Sequence, residues 1–225
     1  MLPFTTEVYF ALFEDYNAAV WPAQIVAYGL GALALWLSLR PRAGGDRVVA
    51  AILTGFWLWT GLAYHVATFD EINVAAPVFG GLFAVQAVLL AWTGVVRGRL
   101  AFRFRPDVFG WAGFGLAAGA LVLYPLLAWL AGHGWPEAAL VGVAPSPTLL
   151  FAFGLLLGAE PRSPVHLLVI PVLWSLIWGA AAWFLPIPED LALPLAAVAA
   201  TGLIVWKNRR AAAAAARNQY LHCEY

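Results

Sequence analysis

Val48–Asn73 reads VVAAILTGFWLWTGLAYHVATFDEIN. Arg40, Arg42 and Arg47 stand just before it, and Asp70 and Glu71 stand near its end. Between these charged margins, roughly Val48–Phe69 is apolar and matches the ~20 residues needed to cross a bilayer. Arginine at one end and carboxylates at the other give the segment a direction, basic end inward. It also carries His65, the one histidine expected inside the bilayer.

The rest of the chain repeats this pattern. Of 225 residues, 63% are hydrophobic and 11% charged, whereas a soluble domain carries about 25% charged residues. The solvent is therefore lipid. Further spans are expected at roughly Val20–Leu39, Ala75–Val96, Val108–Ala131, Val165–Leu185 and Leu191–Trp206. Thr148–Ala159 is too short to cross alone. Either that span starts near Ala138 and is broken around Pro145 and Pro147, or it is a half-helix entered from an irregular segment. With seven spans and the N-terminus outside, all 12 basic residues fall in the inner segments 40–47, 97–107, 160–164 and 207–225. Glu7, Glu14, Asp15, Asp70, Glu71, Glu137, Glu189 and Asp190 then fall outside. An even count would spoil that separation.

The expected architecture is an all-α polytopic integral membrane protein with seven transmembrane helices and a cytoplasmic C-terminus. Residues 1–19 form an interfacial amphipathic helix. Tyr9, Phe13, Tyr16 and Val20 recur on one face, with Glu7, Ala11, Glu14 and Ala18 opposite. Residues 20–206 form the membrane domain, and the alanine-rich 207–225 a helical tail in the cytoplasm. Gly115–Gly119 and Gly154–Gly158 are small-residue pairs suited to close helix packing. No cleavable signal peptide is expected at the N-terminus. A single cysteine, Cys223, excludes an internal disulfide framework, and basic residues confined to short connections disfavour nucleic acid.

Polar side chains in lipid face a bundle interior or a wet cavity. Gln24, Tyr28, Tyr64, His65, Asn73, Tyr124 and Asp190 all fall in the outer half and together line a candidate outward-facing pocket. Such a pocket attracts protons, metal cations or small cationic solutes. The alternative is that Tyr64 and His65 only bond neighbouring helices and the acids are ordinary loop residues. Histidine and carboxylates on that side lack any dedicated metal spacing. Pro145-Ser146-Pro147-Thr148 reads as a helix start able to meet an anion, or as a capped external loop. Trp57, Trp59, Trp174 and Trp178 lie at mid-depth, for packing or for a flat apolar ligand such as a quinone or carotenoid. No nucleophile elbow or phosphate loop points to an enzyme, and no cofactor is specified. The only lysine, Lys207, excludes retinal held as a lysine Schiff base.

Leu2-Pro3-Phe4-Thr5, Tyr16-Asn17, Val20-Trp21-Pro22-Ala23-Gln24, Tyr64-His65, Ile72-Asn73, Pro147-Thr148, Phe153-Gly154, Ile170-Pro171 and Pro188-Glu189-Asp190 resemble a family of bacterial multi-pass membrane proteins known only as a domain of unknown function. The resemblance covers the chain to about residue 206. It implies the bacterial inner membrane and brings no substrate or catalytic residue. Two functions are therefore expected as alternatives: binding or passing a small solute or cation through the outer pocket, or serving as a non-catalytic subunit of a larger membrane complex.

Overall fold

The structure, a computed structural model, describes residues 3–223. Its helices are α1 (Thr6–Ala19), α2 (Ala23–Leu39), α3 (Gly45–Trp59), α4 (Ala76–Leu90), α5 (Val108–Leu130), α6 (Pro145–Leu157), α7 (Val169–Phe184) and α8 (Ala192–Cys223). Two short strands, β1 (Ala101–Phe102) and β2 (Ala159–Glu160), pair antiparallel. α3 and α4 widen at their ends into π-helical turns, Thr60–Val66 and Ala91–Val96. Among the described residues, five helical segments are long and apolar enough to cross a membrane. A sixth is gained if α1 and α2, bent by 86° to each other, count as one span. The chain is thus a multi-pass helical membrane protein.

α6 resolves the question left at Thr148–Ala159. It is a 13-residue helix with every residue buried, entered from the irregular stretch 131–144. Pro145 and Pro147 do not break it, because first-turn N–H groups need no helical partner. Thr148 Oγ1 ties the entry down, accepting from Gly142 N at 2.8 Å and donating to Ala144 O at 2.6 Å. Its closest neighbour is α5. A Cβ on Gly154 would lie 2.5 Å from Gly113 O and from Ala117 N, so only glycine permits this approach. The expected α5 pair is corrected accordingly. Gly113 and Ala117 make the contact, whereas Gly115 faces open space and Gly119 meets only Leu123 of its own helix.

The basic segments meet at one end of the bundle. Asp46, at the start of α3, grips Arg103 through both carboxylate oxygens at 2.5 and 2.9 Å and also accepts from Phe102 N. That hydrogen bonding holds the Arg103 guanidinium above its usual range. Arg105 pairs with Glu160 at 2.6 Å. Lys207 Nζ donates to Leu157 O and Ala159 O, and Asn208 accepts from Ser163 N. Segments 40–47, 97–107, 158–164 and the 207–210 turn are so stitched into one face.

At the opposite end lies α1. Thr5 caps it, accepting from Val8 N. Tyr9, Phe13 and Tyr16 are buried, while Glu7, Ala11, Glu14 and Ala18 are exposed, which is the periodicity read from the sequence. The apolar face, however, is covered by protein. Tyr9 packs on Trp178, Phe13 on Tyr64, and Tyr16 donates to Val143 O at 2.8 Å. Asn17 Nδ2 reaches Pro136 O and Ala138 O, and Thr6 Oγ1 reaches Leu185 O. α1 therefore forms a lid across this end.

Candidate functional site

Asp190 lies in the 3-10 turn Pro188–Leu191 that leads into α8. There the unpaired N–H groups of the helix start favour negative charge. Its carboxylate is buried and held from two helices. Tyr124 of α5 donates to Oδ1 at 2.5 Å, and Trp178 of α7 donates to Oδ2 at 2.6 Å. The buried Ser146, at the start of α6, lies close to both Tyr124 and Asp190. Neighbouring Glu189 is also buried, at 6% exposure. Its Oε1 lies 3.3 Å from His133 Nδ1, and its Oε2 has no hydrogen-bond partner. No lysine or arginine pairs with either carboxylate among the described residues.

Glu189, Asp190 and half-buried Glu137 line a crevice with Tyr9, Phe10, Phe13 and Tyr124. Its volume is about 10 Å³, enough for about one water molecule. α1 roofs it, with Phe10 stacked on His133 at 3.8 Å between ring centroids. Of the seven residues expected to line an outward-facing pocket, Tyr124 and Asp190 line this narrow, covered cleft. No group of three or more His, Cys, Asp or Glu side chains able to hold a metal ion occurs among the described residues.

His65 sits apart from the crevice. It is fully buried, and neither ring nitrogen has a partner. Tyr64, Phe69, Phe79, Phe83 and Trp174 surround it, the nearest ring centroids 4.7 Å away. Trp174 stacks on Trp178 within 6° of parallel, so Tyr64 and His65 join Asp190 through two tryptophans.

The remaining three expected residues lie elsewhere. Gln24 is buried and donates to the backbone and side-chain oxygens of Asn17. Tyr28 is half-buried with its hydroxyl unpartnered. Asn73 Oδ1 accepts from Ala75 N, just before α4. No hydrogen bond or ring contact links these three to Asp190 among the described residues. Sequence reasoning singled out neither Glu189 with His133 nor the donor role of Trp178. Trp178 lies one turn from Trp174 on α7, a spacing that fits packing or a wall for an apolar ligand and carries no mark of a donor to Asp190.

The model of one family, described as a family of unknown function (DUF6064), matches residues 6–215. No curated protein and no solved structure matches the chain.

Proposed function

The chain belongs to DUF6064, a family of unknown function, and from that premise we propose that it takes up a small monovalent cation, a proton or an ammonium-type ion, at Glu189 and Asp190. One observation carries the reading. Two adjacent buried carboxylates share a crevice with no lysine or arginine to neutralise them, and one carboxylate oxygen is unpartnered. Burying two carboxylates whose one nearby basic group is the His133 imidazole, 3.3 Å from Glu189, costs several kcal/mol, so the site favours a positive partner. Aromatic walls from Tyr9, Phe10 and Phe13 favour a cation as well.

The membrane reading is sharpened in the same proposal. The protein is a bacterial inner-membrane protein that crosses seven times, N-terminus outside, with α6 and its irregular entry as the fifth passage. The clustering of the basic segments at one end supports that count. The test is cation-dependent stabilisation of purified protein, together with proton or ammonium uptake into vesicles. Wild type responds, while Asp190→Asn and Glu189→Gln, checked as monodisperse and folded, do not. Equal responses from folded variants would overturn the reading.

A second reading, a subunit of a larger membrane complex, is favoured by the open small-residue face at Gly115 and Gly119 on α5. Stoichiometric partner chains after purification in mild detergent would support it.

A further inference from the structure

A groove that shares no lining residue with the Asp190 crevice lies between α2 and α3. It is a side-opening groove of about 560 Å³, within the ~300–1,000 Å³ of sites that enclose one small ligand. It exists because small residues face each other there: Ala23 and Ala27 on α2, Ala51 and Gly55 on α3. Gly142 forms part of the floor at φ 84°, where a Cβ would collide with Phe56 and Ala27. The lining residues carry no charge. The polar atoms nearby are already engaged: Trp59 Nε1 donates to Tyr16 and Gly142 N to Thr148.

We propose that this groove holds one acyl chain of an anionic phospholipid whose headgroup rests on Arg40 and Arg42. Length is the first argument. From Val48 to Trp59 the α3 wall runs ~16 Å at 1.5 Å per residue, close to the ~15 Å of one leaflet. Charge is the second. The groove ends at Val48, beside the 40–47 loop, where Arg40, Arg42 and Arg47 are all exposed. The loop's one acid, Asp46, is committed to Arg103. Arg42 stacks over exposed Trp36 at 4.6 Å, which places a guanidinium and an indole together at headgroup depth. Net positive charge at the mouth selects an anionic over a zwitterionic headgroup. A quinone would need donors for its carbonyls, and the groove offers none that are free.

The test uses the full chain, reconstituted in phosphatidylcholine containing a minor fraction of phosphatidylglycerol and then extracted in mild detergent for lipid mass spectrometry. Wild type retains phosphatidylglycerol far above its share of the mixture. Gly55→Leu fills the groove at a position where a Cβ meets nothing within 4 Å, so the fold is expected to hold while lipid is lost. Arg40→Gln with Arg42→Gln lowers retention roughly thirtyfold. The proposal is overturned if Gly55→Leu keeps its phosphatidylglycerol, if wild type holds the two lipids in proportion to the mixture, or if protein from native membranes carries an isoprenoid there instead.

Discussion

Trp178 and Asp190 are joined by a single hydrogen bond across the α7–α8 junction, indole nitrogen to Oδ2 at 2.6 Å. It makes a tryptophan that would pass for lipid-facing bulk into the support of the site. Trp178→Phe keeps the ring against Trp174 and Tyr9 and removes only the donor. Hydrogen bonds to charged groups are worth about 1.5–3 kcal/mol, and a loss in that range is expected in detergent unfolding midpoints. Tyr124→Phe should cost a similar amount. The double variant should lose less than the sum, since both donors serve one carboxylate.

His65 offers the opposite case. Both its nitrogens are buried without partners among aromatic rings. Leaving such groups unsatisfied costs about 1–3 kcal/mol. His65→Phe should therefore leave the unfolding midpoint unchanged or raise it. A clear drop would mean that the imidazole has a bonding role this geometry does not display.

The α5–α6 contact predicts two glycines with opposite outcomes. Gly154→Ala puts a methyl into the backbone of α5 and should destabilise the protein severely, seen as lost expression or aggregation. Gly115→Ala meets open space and should gain about 0.5–1 kcal/mol from helix propensity.

The Asp46–Arg103 clamp is partly solvated, each side chain being more than a quarter exposed. Its contribution is accordingly set at about 1 kcal/mol. Arg103→Lys keeps the charge but loses the two-pronged geometry and should behave much like Asp46→Asn. The readout is faster hydrogen exchange in 97–107 with little change in the overall midpoint.

The proposed topology is open to direct labelling. In a Cys223→Ser background, cysteine at Glu71 should react with an impermeant maleimide in intact cells. Cysteine at Arg99 should react only after lysis. The reverse pattern would invert the orientation.

The sequence made the long apolar helices legible, because lipid imposes simple demands on long segments, and five or six of them are long and apolar enough to cross. The shortness of the apolar run at α6 was also legible, but a broken span from near Ala138 and a half-helix entered from an irregular segment fitted the sequence alike. The site was legible only in part. Tyr64, His65, Tyr124 and Asp190 stand out because polar groups in lipid are costly; the structure bonds Tyr124 to Asp190 and sets Tyr64 and His65 in the neighbouring aromatic cluster. Gln24, Tyr28 and Asn73 were grouped with them by depth alone, which says nothing about azimuth around the bundle. In lipid the outer and inner faces of a helix are both apolar, so periodicity does not reveal which way Trp174 and Trp178 point. α1 shows the complementary limit. An amphipathic face fits a bilayer interface and a protein surface equally well, and only its contacts with Tyr64, Trp178 and His133 show which one it covers.

α6 bears on how the protein is made. At about 20 Å, by 1.5 Å per residue, it is shorter than the hydrocarbon layer, and all 13 of its residues are enclosed by protein. During synthesis it has no stable home in lipid. Its walls include α5, already inserted, and α8, translated later. Biogenesis of the last third of the chain is therefore expected to be all-or-none, with nascent chains truncated before Ala192 cleared by quality-control proteolysis.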